Sequence, residues 1–214
     1  MAIIDISPLI SEKIAVFPGD TPYHRQVALA FEKGDHLALS SMTATLHLGA
    51  HVDAPNHYHP DGIGIAERDL HPYIGPCQVI EFATSEPMAR IKPADLEGMV
   101  IKAPRILFKT GSFPDPNRWT DDFAALSPEL IHFLADQGAV LVGIDTPSVD
   151  PAPAKVLSSH LAIYERNLAI LEGIVLDKVP EGIYQLIALP LKLDRADASP
   201  VRAILLDQKG PAQG

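Results

Sequence analysis

Hydrophobic and polar positions change period several times along this chain, and the changes predict more strands than helices. Residues 3–6 and 13–17 are short apolar runs that read as strands, and residues 26–31 and 38–47 read as two more. Within the last, Thr43 and Thr45 alternate with apolar neighbours, the period-two signature of a half-buried strand. Residues 77–83, 105–110 and 139–144 read as strands, the last two buried, and 184–192 and 202–207 as the last strands. Helical spacing is clearest after Ser127. That serine is a good N-cap, Pro128 suits the first helical position, and Gly138 suits the end. Leu130, Ile131, Phe133 and Leu134 supply its apolar face. A second helix is expected from a cap at Ser158 or Ser159 to a stop near Asn167, and a short one at 93–99. Residues 58–76 and 111–122 are polar loops, the second a candidate lid carrying Trp119. With no internal repeat and no linker, the pattern predicts one α/β domain over residues 1–214, with a curved, mostly β core flanked by a few helices.

Composition narrows the function more than the fold. The formal net charge of −10 argues against nucleic acid, which needs a basic footprint. No apolar run reaches the 18 residues of a membrane span, and the first residues lack the basic and apolar regions of a signal peptide. One cysteine, Cys77, cannot form an internal disulfide, so a reducing cytoplasm is expected. Twenty prolines stiffen the turns, as in the FPGDTP segment at 17–22.

The chemistry concentrates in HLGAHVDAPNH, residues 47–57. His47, His51, Asp53 and His57 are all odd-numbered, so an extended chain turns them to one side, with Gly49 adding no bulk there. Gly49 and Pro55 argue against a helix. Imidazoles with a carboxylate are a ligand set for zinc, manganese or iron. The plainer reading is a polar loop with surface histidines. Structural zinc sites usually use cysteine, which this chain lacks as a cluster. His59 and His71 are extra candidates for the site that read more readily as solvated or capping side chains, and His132 reads as solvated. Asp145 either faces the site from its strand end or caps the following turn, and Phe17 can be plain core.

The pattern HxGxHxDxPxH, made here by His47, Gly49, His51, Asp53, Pro55 and His57, resembles the signature of the cyclase-like family of metal-dependent amide hydrolases. FPGDTP (17–22), GPCQVIE (75–81), GIDTPSVDP (143–151), LEG (171–173) and LIALPLKLDRADASPVRA (186–203) resemble its formamidase branch. The resemblance implies a swivelling β/β/α fold, usually built into homodimers. It also implies two divalent metal ions per chain, zinc or alternatively manganese, held by His47, His51, Asp53, His160 and Glu172. Spacing alone would not choose the last two: one unbroken helix over 160–172 would hold them about 18 Å apart. A break near Asn167 would let both turn inward. His57 is then the general acid/base, with a sixth ligand as its alternative. Phe17 stands where the formamidases typically carry a tryptophan bordering the substrate. The implied substrate is an aryl formamide, N-formyl-L-kynurenine. The rivals are another hydrolase of the same family, such as one acting on isatin, and a non-catalytic metal-binding protein.

Overall fold

The computed structural model describes residues 2–207. In chain order the strands are β1 (Ala2–Asp5), β2 (His24–Leu29), β3 (Leu39–Thr43), β4 (His51–Asp53), β5 (Ile74–Glu81), β6 (Arg90–Ile91), β7 (Arg105–Lys109) and β8 (Ala125–Leu126). Helix α1 (Pro128–Asp136), β9 (Leu141–Ile144), α2 (Ser158–Glu165), β10 (Ala169–Leu171), β11 (Gly182–Ile187), β12 (Ala198–Pro200) and β13 (Ile204–Asp207) follow. Seven strands form one sheet in the order β1-β13-β11-β5-β7-β9-β10. The β1 to β5 end is antiparallel, and β5, β7, β9 and β10 are parallel.

The parallel half is buried on both faces, which explains its continuous apolar runs. Ile106 and Phe108 of β7 and Val142 and Ile144 of β9 pack with the residues of α1 and α2. Leu107 and Leu141 point the other way, into a second core with Ala50, Val52 and Leu171. The strand carrying His51 and Asp53 is therefore laid over the face opposite the helices. It is paired there with β12 and bridged to the chain just after β10. The mixed α/β, mostly β architecture agrees with the expectation. No helix among the described residues is long and apolar enough to cross a membrane.

Several local expectations need correction. Residues 13–17 form no strand; Ala15 N–H instead bonds Pro116 O, 2.9 Å away, in a loop-to-loop contact. The strand expected over 38–47 stops at Thr43, so His47 arrives on irregular chain, and Gly49 at φ +58° breaks any continuous extended run. His57 lies in a 3-10 turn, Pro55–His57, rather than an extended segment. β5 begins three residues early at Ile74, β11 ends at Ile187, and the helix at 93–99 shortens to the 3-10 turn Pro93–Leu96. Ser127 Oγ accepts from Leu130 N–H as expected of a cap. Ser158 and Ser159 do not cap α2: both lie inside it. The buried Asp150 carboxylate does that work, accepting from the N–H groups of Ser159 and His160. Asn167, at φ +52°, does end the segment, and the chain turns back into β10.

Candidate metal centre

β4 presents His51 and Asp53 on one face by its two-residue period. The chain after β10 supplies Glu172. Its backbone exchanges two hydrogen bonds with that of His51, His51 N–H to Glu172 O at 3.1 Å and Glu172 N–H to His51 O at 2.9 Å. The first turn of α2 supplies His160. Gly173 (φ +65°) crosses Gly49 so closely that a Cβ there would lie 2.1 Å from the Gly49 carbonyl oxygen. The lack of a side chain at Gly173 therefore lets the two segments that carry the candidate ligands touch backbone to backbone.

Asp53 sits at the centre. His47 Nδ1 is 3.0 Å and His51 Nε2 3.5 Å from its Oδ1, and His160 Nε2 is 3.3 Å from its Oδ2. Glu172 Oε2 faces His51 Nε2 at 3.2 Å, while its Oε1 is fixed by Val149 N–H at 2.7 Å. Each imidazole has a second partner on its far nitrogen. His51 Nδ1 donates to Gly49 O (2.9 Å), which leaves Nε2 with its lone pair facing inward. His160 Nδ1 meets Asp150 Oδ2 at 2.8 Å, and His47 Nε2 meets Asp197 Oδ2 at 2.9 Å. Arg90 pairs with Asp150 at 3.1 Å and balances its buried charge.

The donors suit a divalent cation. Both Asp53 oxygens and His51 Nε2 are buried and, despite these ion-pair distances, have no hydrogen bond of proper geometry. Such buried, unsatisfied groups are costly, and a cation would relieve them. Two trios can each converge on one ion, His51–Asp53–Glu172 and His47–Asp53–His57, their ligand atoms all within 4.8 Å of one another. Asp53 is common to both. His57 thus lies in reach of the cluster, its ring 4.2 Å from that of His47.

The electrostatics follow the geometry. Burial alone would lower the pKa of His47 and of His160. Asp53 and Asp197 instead raise that of His47 to about 9, and Asp150 and Asp53 raise that of His160 to about 10. Burial would raise Asp53, but His160 and His47 hold it well below the usual carboxylate range. His57 is pushed down, chiefly by burial, and is neutral at pH 7.

A cavity of about 520 Å³ opens above the cluster. Phe17, Phe113 and Trp119 form an aromatic wall in it, with Phe17 and Trp119 edge to face at 5.1 Å. Phe17 is 46% exposed and so is not plain core. Asp145 also borders the cavity. Its carboxylate is taken by Thr110 Oγ1 and the N–H groups of Thr110 and Gly111, which pins the start of the 111–122 loop. His59 stacks on Tyr164 at 3.8 Å, and His71 and His132 stay outside the cluster. Reasoning from sequence missed Asp150 and Asp197. Both lie in segments that carry the family resemblance, but no spacing ties either to the histidine it meets.

A family model described as putative cyclase matches residues 4–151. The kynurenine formamidase of Bordetella petrii is 45% identical over 205 residues, covering 94% of this chain and 96% of that protein. That of Bordetella pertussis is also 45% identical, over 202 residues, with 94% and 96% covered. A solved potential metal-dependent hydrolase with cyclase activity superposes with a TM-score of 0.82 at 27% identity, covering 95% of this chain and 96% of its own. An isatin hydrolase bound to thioisatinate shares the fold, with a TM-score of 0.83 at 21% identity and 96% and 92% covered. With a family model matched over more than half its length and near full-length relatives at this identity, the chain belongs to the cyclase family, alongside the kynurenine formamidases.

Proposed function

We propose that the protein is a metal-dependent formamidase that hydrolyses N-formyl-L-kynurenine to L-kynurenine and formate. The observation that carries the reading is the buried Asp53 carboxylate, its oxygens unsatisfied and faced by His47, His51 and His160, with Glu172 against His51, at the floor of an aromatic-walled cavity. The 45% identity to kynurenine formamidases over nearly the whole chain supports the substrate. His47, His51, Asp53, His160 and Glu172 would hold two divalent cations, zinc in this reading. The chemistry they would supply there is polarisation of a carbonyl and a lowered pKa for a bound water.

The chain's own residues do the rest. Water oxygen adds to the formyl carbon, the C–N bond breaks, and the aniline nitrogen must gain a proton as it leaves. His57, neutral at pH 7, is the group that takes the proton from water and returns it to that nitrogen. Phe17, Phe113 and Trp119 flank the aryl ring. A formyl carbon bears only hydrogen beside the amide, so the space over Asp53 need not be large.

The protein also works as a homodimer in this reading. Among the described residues the β2–β3 hairpin pairs only with itself, and it is exposed along nearly its whole length, with Phe31, Leu39 and Met42 more than half exposed. A two-stranded ribbon is marginal in water without a covering surface, and a second copy is the cover proposed. Sedimentation of wild type at twice the monomer mass is the expected result.

The deciding experiment compares kcat/KM for N-formyl-L-kynurenine, formanilide and isatin, with and without a chelator. Activity should vanish on chelation. A tenfold preference for isatin, about 1.4 kcal/mol of transition-state discrimination, would overturn the substrate assignment. Full activity in metal-free protein would overturn the metal chemistry.

A further inference from the structure

Asp197 belongs neither to the proposed ligand set nor to the acid/base role, yet it reaches both. Its Oδ2 is 2.9 Å from His47 Nε2 and 3.9 Å from His57 Nδ1. Among the described residues its ion-pair partners are these two histidines, with no lysine or arginine. His47 is held between two carboxylates, Asp53 on Nδ1 and Asp197 on Nε2.

The backbone around Asp197 is fixed on every side. Asp197 O accepts Ala54 N–H at 2.8 Å, Ala196 O accepts Ile65 N–H at 2.9 Å, and Arg195 O accepts Asn56 Nδ2 at 3.2 Å. The next residue, Ala198, stands opposite Asp53 in the β4–β12 ladder. The carboxylate is thus placed by the same ladder that places Asp53. A half-exposed aspartate on a free surface needs no such scaffold.

We propose that Asp197 is a positioning residue for the reaction: its carboxylate holds the outward nitrogen of His47 and faces His57, keeping both rings turned towards Asp53. The inference rests on the formamidase reading for its kinetic part only. A carboxylate on the far nitrogen of a metal-binding imidazole fixes its tautomer and orientation, and its loss typically lowers metal affinity or activity by about 10–100-fold. Asp150 has the corresponding place behind His160, so two of the three cluster histidines are backed by carboxylates from other segments.

The test uses Asp197→Ala, Asp197→Asn and Asp197→Glu in the full-length chain. Zinc affinity is measured by competition with a chromogenic chelator, kcat and KM with N-formyl-L-kynurenine, and folding by circular dichroism. Asp197→Ala should lower kcat by about 10–100-fold and weaken the looser-bound zinc by a similar factor, with KM within about threefold and the fold intact. Asp197→Asn keeps the shape without the charge and should lose less. Asp197→Glu should recover part of both quantities. A zinc affinity and kcat within twofold of wild type in Asp197→Ala would overturn the proposal. So would equal losses in all three variants that track a loss of folded protein. If wild type fails to hydrolyse N-formyl-L-kynurenine, the formamidase reading falls, while the zinc affinities still decide for or against Asp197.

Discussion

Replacing Gly173 by alanine should damage the site and the fold together, because two costs fall on one atom. The first is conformational. Gly173 has φ +65°, and an L residue in that left-handed region costs about 1–2 kcal/mol. The second is steric. The new Cβ would lie 2.1 Å from Gly49 O and 2.8 Å from Gly49 C, and both belong to backbone rather than to a flexible side chain. Relieving the overlap means moving Gly49, whose carbonyl holds His51 Nδ1, or Glu172, whose backbone is bonded twice to His51. Overpacking of this kind costs about 1–3 kcal/mol, so the sum is about 2–5 kcal/mol. At about 2–4 °C per kcal/mol for a chain of this size, the metal-free protein should melt about 4–20 °C lower. Gly138→Ala is the control: φ is +85°, but no atom lies within 4 Å of the added Cβ. It should show the conformational cost alone, about 1–2 kcal/mol, and keep its metal. Thermal melts of both variants in chelator, with zinc content measured separately, check the argument. Equal destabilisation of the two, or normal zinc binding in Gly173→Ala, would refute the crossing as the reason for glycine.

Three further predictions follow from the same geometry. Asp150→Asn keeps an acceptor for the N–H groups of α2 but removes the charge behind His160, so zinc affinity should fall by about 10–100-fold with helix content unchanged, read by equilibrium dialysis. His57→Ala should lower kcat by about 10²–10⁴-fold while zinc stays bound; loss of zinc instead would make His57 a ligand, as its place in the second trio allows. Metal-free and zinc-loaded protein should respond to pH with opposite sign. His47 and His160 are raised to about 9 and about 10 without metal, so their stabilisation is full below pH 6.5 and lost as pH rises through those values. Zinc needs the same nitrogens deprotonated, so its contribution grows over that range. Urea midpoints between pH 6.5 and 9 should therefore fall in chelator and rise with zinc.

What was legible in the sequence was local. α1 announces itself through Ser127, Pro128 and Gly138, three signals within twelve residues that act on their own backbone. β7 and β9 are readable because burial on both faces makes their apolar runs continuous. His51 and Asp53 share a face by strand period alone. The rest depended on distant partners. β12 has three residues and is a strand only because β4 lies beside it. The start of α2 is capped by Asp150, eight residues upstream of its first residue, which no local rule selects. Glu172 meets His51 across 121 residues through a backbone bridge that the glycine crossing permits. Only the family resemblance pointed to it in advance.

The sheet itself explains where the distant residues had to come from. β7, β9 and β10 are parallel neighbours, so their carboxyl ends lie at one edge. In each case a polar group follows the strand directly: Thr110 after β7, Asp145 after β9, Glu172 after β10. Polar groups at that edge of an α/β sheet face the crevice where ligands bind. Thr110 and Asp145 bond to each other and fix the base of the loop that carries Phe113 and Trp119. Glu172 turns to His51. The connection from β9 into α2 crosses the same edge, and its turn supplies Val149 N–H to Glu172 and the Asp150 carboxylate to His160. The segments that follow the parallel strands thus contribute Glu172, His160 with its Asp150 support, and Phe113 and Trp119 of the aromatic wall. β4, held from the other side by β12, contributes His51, Asp53 and the register that brings Asp197 to His47. A cluster built at the meeting of two such layers needs a close backbone approach between them. Gly173, crossing the Gly49 carbonyl, provides it, and that is why glycine stands at the one point where a side chain of any size would push the two segments apart.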